Sequence, residues 1–291
     1  MADNETRKQF GGRTLQTGDD PFKHNAWDNV EWTEEQKLEA QSKIDKQTTA
    51  FHTRSESESI LLKGEIPFSE AWHKFYSNHD DKFFKDRNWL HTEFPELAGE
   101  NFKIFEIGCG VGNTVIPVLE KNPTCFVYGC DYADSAIEIL KKHPNLEKDR
   151  SHVFVQDIRE KMTDTIEKGS LDVIVSIFCL SAVHPTQFEK TVDNLIELLK
   201  PGGVILFRDY GRFDLAQLRF KENRCVGENL YQRGDETLSY FFTEDDVEKL
   251  FCGYGKLEKL QLRTDGRMQV NRARKIKMYR AWTQGKFKKP E

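Results

Sequence analysis

A glycine-rich turn at residues 106–113 constrains the fold of this 291-residue chain more than any other feature. It reads Glu-Ile-Gly-Cys-Gly-Val-Gly-Asn and follows an apolar run, Phe102–Ile107, that is predicted to be a strand. Glycines at such a position let the backbone turn sharply and approach a ligand closely at the N-terminus of the next helix. The spacing is Gly108-x-Gly110-x-Gly112, which differs from the GxGxxG pattern of dinucleotide-binding domains.

Predicted strands and helices alternate after this turn. The apolar runs have the length of buried strands, and the segments between them show helical spacing. Up to residue 209 the predicted order is helix 113–121, strand 125–130, helix 135–143, strand 152–155, strand 171–178, helix 186–200 and strand 204–209. Buried strands that alternate with helices indicate a parallel, doubly wound α/β sheet.

The pattern changes after Asp214. A hairpin is predicted at Leu230–Phe242 and a helix at Thr243–Cys252. Two strand-like runs follow, Leu257–Arg263 and Ile276–Thr283, with a basic turn between them. Because the turn is short, we expect these two runs to pair as antiparallel strands at an edge of the sheet.

Five elements, taken in order, resemble the class I S-adenosylmethionine-dependent methyltransferases. Glu106 with the glycine turn matches motif I, and carboxylates follow the second and third strands, while Asp172 begins the fourth and Lys200-Pro-Gly-Gly precedes the fifth. The resemblance implies a Rossmann-like doubly wound sheet with an antiparallel last strand, S-adenosyl-L-methionine as cofactor and S-adenosyl-L-homocysteine as product. The residues implied to bind the cofactor are Glu106, Gly108, Gly110, Gly112, Asp131 at the ribose hydroxyls, Asp157 and Ile158 at the adenine edge, and Ile177. The alternative is a Rossmann-like domain that binds NAD or no ligand.

The residues after the fourth predicted strand of the sheet argue against several substrate classes. Enzymes that methylate exocyclic amines of nucleic acids usually carry Asn/Asp-Pro-Pro-aromatic there, whereas residues 177–184 read Ile-Phe-Cys-Leu-Ser-Ala-Val-His. Cys179 lacks the Pro-Cys or Thr-Cys context of the nucleophile in carbon-5 pyrimidine methylation, and we expect a small buried side chain. The paired-glutamate hairpin of protein arginine methyltransferases is not evident.

Two longer strings narrow the substrate. Phe83-Phe-Lys-Asp-Arg-Asn-Trp89 and Leu206-Phe-Arg-Asp-Tyr-Gly-Arg-Phe-Asp214, together with shorter matches at 181–185 and 240–243, closely resemble the eukaryotic tRNA 3-methylcytidine methyltransferases. That family modifies cytidine at anticodon-loop position 32, and the resemblance covers residues 68–291. The string at residues 24–32 resembles the branch that acts on threonine tRNAs and, in some organisms, arginine tRNAs. The implied partners are tRNA and a helper protein such as an aminoacyl-tRNA synthetase or an anticodon-binding protein.

Asp209 is the candidate for the catalytic carboxylate. Ring nitrogen 3 of cytosine carries an in-plane lone pair, so no strong base is needed to generate the nucleophile. The methylated ring is cationic, and a nearby carboxylate stabilises the charge that develops on it. Asp209 is also placed to orient the exocyclic amine. The alternative is a strand-end ion pair with Arg208 or Arg212. Tyr210 and Phe84 are candidates for stacking on a flipped base, with core packing as the alternative.

Other roles follow from the resemblance alone. Trp72 and Tyr76 match residues that contact the methionine end of the cofactor, although an aromatic core stripe explains them equally well. Lys85 and Arg87 match lid residues that hold the RNA backbone or the cofactor carboxylate, and a solvated basic pair is the alternative. His184 is expected to be a capping or loop histidine. The remaining candidates for RNA contact are all basic: Arg208, Arg212, Arg263, Arg267, Arg272, Arg274 and Lys275.

Composition supports these expectations. The formal net charge is −5, yet residues 1–199 carry −12 and residues 200–291 carry +7. Phosphate contacts need local positive charge, so the basic part fits a polyanionic partner, whereas a solvated lysine-rich segment is the alternative. No apolar run approaches the ~20 residues of a membrane span. We therefore expect no membrane partner. The six cysteines have no zinc-ligand spacing, so we expect no metal. Their pattern suits a reducing compartment, so we expect a cytoplasmic location.

The first 65 residues differ from the rest, because only 17 of them are apolar. We expect a polar, partly ordered N-terminal extension at 1–65, a candidate tRNA-binding element. A methyltransferase domain follows at 66–291, with a lid helix segment at 66–100 and a basic hairpin at 256–290. Thr33 is a predicted N-cap with Gln36 as its capping-box partner. Trp27 and Trp32 are expected to dock on another part of the molecule.

Two other functions remain open from the sequence. A class I methyltransferase that acts on a small molecule or a protein would keep every cofactor motif, but it would not need the basic segment or the string at 83–89. A non-catalytic RNA-binding subunit would be favoured by a broken glycine turn or the loss of Asp131, and both are intact.

Overall fold

The computed structural model describes residues 12–53, 71, 72, 76 and 86–291. Phe84 and Lys85, with their predicted contacts to the base and the RNA, lie outside these residues. The helices of the described part, in chain order, are α1 Glu34–His52, α2 Leu90–Glu93, α3 Val115–Lys121, α4 Asp134–Lys141, α5 Phe188–Leu198, α6 Leu215–Arg219 and α7 Glu244–Cys252. Ala71, Trp72 and Tyr76 are also helical. In the described residues, no helix has the length and apolar character that a bilayer crossing requires.

Eleven strands of the described residues form two sheets. The strands are β1 Ala26–Asp28, β2 Lys103–Ile107, β3 Phe126–Asp131, β4 Ser151–Val155, β5 Leu171–Ile177, β6 Leu199–Tyr210, β7 Cys225–Gly227, β8 Leu230–Gln232, β9 Leu238–Tyr240, β10 Glu258–Asn271 and β11 Ile276–Lys288. The large sheet has the order β1-β10-β11-β6-β5-β2-β3-β4, and β7, β8 and β9 form the small one. Strands β2 to β6 pair in parallel, whereas β11 is antiparallel to β6. The predicted doubly wound sheet with an antiparallel last strand is confirmed.

The apolar core lies on both faces of the large sheet. Neighbouring residues of a strand point to opposite faces, so Ile104 and Phe105 of β2 belong to two different apolar clusters. All seven residues of β5 are buried, as expected for a strand covered on both faces. The helices that follow the strands supply the two covering layers.

The boundary between α5 and β6 differs from the prediction. The helix was expected to continue to residue 200, but it ends at Leu198, and Leu199 already pairs with Leu171 of β5. A β-carbon on Gly203 would lie 2.9 Å from the carbonyl oxygen of Leu171. The glycine therefore allows β6 to run closely beside β5, so the Pro-Gly-Gly segment lies inside the strand.

The last two strands are longer than predicted and do not form the edge of the sheet. Strand β11 lies between β10 and β6, and β1 pairs antiparallel with the outer side of β10. Trp27 of β1 is 3% exposed, packs with Met268 and Val270, and donates its indole N–H to Pro21 O at 2.7 Å. The expected docking of Trp27 is confirmed, and β1 is the edge strand on this side of the large sheet.

The N-terminal helix α1 begins as predicted. The hydroxyl of Thr33 accepts a hydrogen bond from Gln36 N, and the side chain of Gln36 accepts one from Thr33 N. The helix reaches the small sheet through Gln47, whose amide donates to Phe220 O at 2.8 Å and accepts from Tyr231 Oη at 2.7 Å. The predicted hairpin at 230–242 is formed by β8 and β9.

Candidate functional site

The glycine turn between β2 and α3 has a conformation that favours glycine. The angle φ is +62° at Gly108, +52° at Gly110 and +97° at Gly112, which side chains adopt only with strain. A β-carbon on Gly108 would lie 2.4 Å from Cys179 Sγ, and one on Gly110 would lie 2.6 Å from Tyr76 Oη. The turn therefore packs closely against its neighbours and presents backbone to the space beside it.

Asp131, at the end of β3, is held against this turn. Its Oδ2 accepts from Gly110 N and its Oδ1 from Ala133 N, both at 2.9 Å. A carboxylate oxygen accepts more than one hydrogen bond. The position therefore suits the predicted contacts with ribose hydroxyls.

A cavity of about 410 Å³ opens at the carboxyl ends of the parallel strands. This is the edge at which doubly wound sheets bind their ligands, and the volume falls within the range of small-molecule sites. The predicted cofactor residues that line it are Trp72, Tyr76, Gly108, Gly110, Asp131, Asp157 and Ile158. Bare glycine backbone, a strand-end carboxylate and an apolar wall in one cavity fit a nucleoside-containing cofactor.

Three predicted cofactor residues do not line the cavity. Ile177 is 1% exposed, and its side chain is part of the apolar core. Gly112 faces α4, where a β-carbon would lie 2.4 Å from Leu140 Cδ1. Glu106 is 1% exposed and lies behind the turn. These three residues lie outside the cavity lining, and their predicted contacts with the cofactor stay predictions.

Arg87 is an ion-pair partner rather than half of a solvated basic pair. Its Nη1 lies 3.1 Å from Glu106 Oε1 and 2.8 Å from Thr114 Oγ1, and its backbone N–H donates to Asn113 O. Burial raises the pKa of Glu106 to about 7, although the charge of Arg87 opposes that rise. Arg87 still lines the cavity, where its guanidinium lies 5.9 Å from the ring centre of Phe178.

Asp157 reaches the cavity with its carboxylate already paired. Burial opposes its ionisation, but hydrogen bonds from Arg159 outweigh that effect and lower the pKa of Asp157. The closest contact joins Arg159 Nη2 and Asp157 Oδ2 at 2.6 Å. Ile158 is buried and also lines the cavity, so the predicted adenine edge combines a paired acid with an apolar surface.

Trp72 and Tyr76 line the cavity and also pack in an apolar cluster. The cluster matches the predicted aromatic core stripe, and the contact with the cofactor stays a prediction. Their ring centroids are 6.1 Å apart. Tyr76 is buried against Val111 and Ala133. Burial raises the pKa of Tyr76, which keeps its hydroxyl protonated at neutral pH.

Asp209, near the end of β6, is completely buried. Its Oδ2 accepts from Ser181 N at 2.9 Å and its Oδ1 from Tyr210 N at 2.8 Å. Burial raises the pKa of Asp209 to about 6, while these hydrogen bonds and the charge of Arg233 lower it. Ser181 and Tyr210 line the cavity and Asp209 does not. A direct hydrogen bond to the exocyclic amine of a base is therefore not available in this structure.

The alternative ion pairs of Asp209 are not formed. Arg208 is 6% exposed, and its Nη2 lies 2.8 Å from Asp265 Oδ2, with its guanidinium between the rings of Trp89 and Trp282. Arg212 donates to Gln41 of α1 at 3.0 Å and to Asn229 at 3.2 Å. Arg208 is buried and paired inside the protein, so its predicted contact with the substrate is wrong. Arg212 is only partly buried, and its predicted contact with the substrate stays a prediction.

Aromatic rings form the wall beside Asp209. Tyr210 lies 5.2 Å from Phe178, and Phe178 lies 6.3 Å from Trp282, between ring centroids. Phe178 has φ of +54°, a strained conformation that places its ring at this wall. Tyr210 was predicted at the site, whereas Phe178, Ser181, Arg233, Arg280 and Trp282 were not.

His184 has the capping role that was expected, whereas Cys179 is only partly buried and lines the cavity, which differs from the buried side chain that was expected. His184 is the N-cap of a short 3₁₀ helix, and its Nδ1 lies 2.8 Å from Thr186 Oγ1. Burial raises the pKa of the Cys179 thiol well above its usual value, which disfavours a thiolate nucleophile. The described residues contain no cluster of side chains suited to a metal ion.

The predicted basic surface divides into exposed and partly buried residues. Arg272, Arg274 and Lys275 are exposed at the turn between β10 and β11. Arg267 pairs with Asp28 of β1, with its Nε 3.2 Å from Oδ1, and burial lowers the pKa of Arg263. The turn is therefore the part of this hairpin that is open to a polyanion.

Comparison with known proteins places this geometry in a family. Residues 105–205 match the family model described as "Methyltransferase domain". A solved N-methyltransferase, NodS from Bradyrhizobium japonicum in complex with S-adenosyl-L-homocysteine, has a TM-score of 0.51 at 17% identity, over 75% of this chain and 98% of that one. That likeness shows the fold.

Curated relatives are much more similar in sequence. The chain is 43% identical to "tRNA N(3)-cytidine methyltransferase METTL2" of Danio rerio, over 99% of this chain and 91% of that protein. It is 42% identical to "tRNA(Thr) (cytosine(32)-N(3))-methyltransferase" of Saccharomyces cerevisiae, over 97% of this chain and 46% of the yeast protein. With the intact glycine turn, Asp131 and the cavity that both line, S-adenosyl-L-methionine is the cofactor of this fold. The chain belongs to the tRNA N(3)-cytidine methyltransferase family.

Proposed function

We propose that this protein methylates ring nitrogen 3 of cytidine 32 in the anticodon loop of tRNA, with threonine tRNAs, and arginine tRNAs in addition, as substrates. One observation carries the proposal: the glycine turn lines the same cavity as Ser181 and Tyr210, whose backbone N–H groups hold the buried Asp209 just behind the wall. The names of the relatives support the same base, atom and tRNA.

The chemistry needs little from a general base. When bound, S-adenosyl-L-methionine supplies an electrophilic methyl group. Ring nitrogen 3 has an in-plane lone pair and is neutral at physiological pH, so the protein has to orient the base and exclude water. Tyr210 and Phe178 supply ring faces for stacking on an unstacked base.

Asp209 acts through its charge. Methylation leaves the cytosine ring cationic, and a buried carboxylate fixed by two backbone N–H groups stabilises that charge without rearranging. Since water is excluded around Asp209, its field is weakly screened. The carboxylate is ionised above its pKa of about 6, which covers the neutral range.

The test is incubation of the purified protein with labelled S-adenosyl-L-methionine and either an unmodified tRNA transcript or a native tRNA pool, followed by nucleoside mass spectrometry. Label is expected in 3-methylcytidine, with preference for threonine tRNAs that lack the modification. Label in another nucleoside, or none with any tRNA in the presence of cell extract, would refute the proposal.

We also infer that the protein acts with a helper protein and that it is located in the cytoplasm. A helper such as an aminoacyl-tRNA synthetase or an anticodon-binding protein would position the tRNA, and it is tested by comparing the purified chain with and without cell extract. The six free cysteines support a reducing compartment, the cytoplasm, which imaging of the tagged protein tests.

A further inference from the structure

Arginines dominate the charge of the described cavity wall, and most of that charge is already paired. Three of the four lining arginines form ion pairs with carboxylates, namely Arg87 with Glu106, Arg159 with Asp157, and Arg280 with Asp214. The fourth, Arg233, has no carboxylate oxygen within 4.0 Å among residues 12–53, 71, 72, 76 and 86–291. Arg233 is therefore the lining arginine that forms no ion pair with a carboxylate of these residues.

Arg233 is held in place by neutral groups. It follows β8, and its backbone N–H donates to Thr237 O at 2.8 Å. Its Nη2 donates to Ser239 Oγ at 3.2 Å and its Nη1 to Thr237 Oγ1 at 3.5 Å. The hairpin is anchored by Leu230 and Leu238, which are each 3% exposed. The hydroxyls orient the guanidinium without cancelling its charge, as suits a preorganised anion-binding fork.

The position of Arg233 points to the substrate end of the cavity. Its guanidinium lies 5.5 Å from the ring centre of Tyr210, and its charge lowers the pKa of Asp209. Both neighbours belong to β6, which is separated from β2 by β5. Adjacent strands lie about 4.8 Å apart, so the glycine turn after β2 is two strand spacings away. An anion at Arg233 is thus beside the base site rather than the ribose site.

We propose that Arg233 is a substrate-binding residue that takes a backbone phosphate next to the target cytidine and fixes the base against Tyr210. This inference rests on the proposed function, because it assumes an RNA substrate. The phosphate neutralises a charge that the protein leaves unpaired. The other anion that enters this cavity is the carboxylate of the cofactor, and the experiment separates the two.

The first experiment substitutes the side chain in the full-length protein. Arg233→Gln is expected to lower kcat/KM for a tRNA transcript about 10- to 100-fold, since hydrogen bonds to charged groups are worth that factor, and to leave the Kd for S-adenosylhomocysteine unchanged. Arg233→Lys should recover part of the loss, because it restores charge without the fork. Arg219→Gln, an exposed arginine of α6, is the matched loss of charge and should behave as wild type.

The second experiment changes the RNA. Two anticodon stem-loop RNAs are compared, each with a single neutral methylphosphonate linkage, one on the 5′ side and one on the 3′ side of cytidine 32. We expect the wild-type protein to methylate one of the two RNAs more slowly than the unmodified RNA. The same linkage should have no further effect with Arg233→Gln, because the two changes remove one interaction.

Three results would overturn the assignment. Wild-type kinetics in Arg233→Gln would do so, as would additive losses from the substitution and the linkage. A weaker Kd for S-adenosylhomocysteine with unchanged KM for tRNA would assign Arg233 to the cofactor carboxylate instead. A wild-type protein that methylates neither RNA would count against the proposed function, so the two failures are distinguishable.

Discussion

Replacing Asp209 by asparagine separates its electrostatic role from its structural one. The carboxylate is fully buried, and its pKa of about 6 lies about 2 pH units above the ordinary 3.8, so ionisation in the folded protein costs about 3 kcal/mol. The substitution Asp209→Asn would remove that cost. However, the NH2 group of the new amide would face the backbone N–H of either Ser181 or Tyr210 and could not accept its hydrogen bond. The loss of this hydrogen bond costs about 1–3 kcal/mol. The two effects nearly cancel, and the free energy of unfolding should change by less than about 2 kcal/mol.

The catalytic effect of the same substitution should be large. A preorganised group that stabilises developing charge contributes about 100- to 1000-fold to kcat, and asparagine lacks the negative charge. We therefore expect Asp209→Asn to fold and bind S-adenosylhomocysteine as wild type, and to lose that factor in single-turnover methylation. Wild-type turnover by Asp209→Asn would refute the role, and a large loss of stability would refute the energetic reasoning.

The pKa of Asp209 also sets a pH dependence. Because the folded pKa is raised, the folded state holds more protons than the unfolded state between about pH 4 and 6, and the contribution of Asp209 to stability falls as pH rises through that window. Activity should do the opposite, rising towards a plateau above about pH 6, since the ionised form is the active one. Both trends should disappear in Asp209→Asn, as measured by denaturant unfolding and by initial rates.

Three further predictions follow from other parts of the molecule. Charge reversal at Arg272 and Arg274 should weaken tRNA binding in gel-shift assays and reduce its salt dependence, with cofactor affinity constant; equal loss of both affinities would indicate unfolding instead. Arg87→Ala should lower stability by about 3–5 kcal/mol because it leaves Glu106 buried and unpaired. The double variant Arg87→Ala, Glu106→Gln should recover much of the lost stability in thermal melts. A double variant that is no more stable than Arg87→Ala would contradict the ion pair of Arg87 with Glu106. Trp27→Ala should cost about 3–5 kcal/mol, and near-wild-type urea unfolding would show that β1 contributes little.

The sequence predicted the architecture because the signals for it are local. Apolar runs identified every strand of the parallel sheet, and Thr33 with Gln36 identified the start of α1. The place of β1 escaped prediction, since its three residues have no strand signal of their own and gain their partner only from β10, far along the chain. The end of α5 was misjudged because helical spacing continues to Leu199, and the approach of β5 is what turns that residue into strand.

The site divides in the same way. The glycine turn follows β2 directly, and Asp131 and Asp209 lie at or near the ends of β3 and β6, so the order of motifs predicted them. Arg233 and Trp282 come from the hairpin and from β11, and only the tertiary fold brings them to the cavity. Arg208 was misassigned for the converse reason, because its partner Asp265 is supplied by β10, and sequence spacing does not show which cations a fold neutralises.

The pairing of β1 with β10 has a consequence for biosynthesis. Residue 26 pairs with residue 269, so β1 cannot pair with β10 until the long segment between them has been made. Such long-range pairing delays folding, and the parallel strands β2 to β6 can assemble before it. Until then Trp27 remains exposed to solvent and to chaperones. Its burial is thus a late event, and indole fluorescence from a protein that retains only this tryptophan would report completion of the sheet.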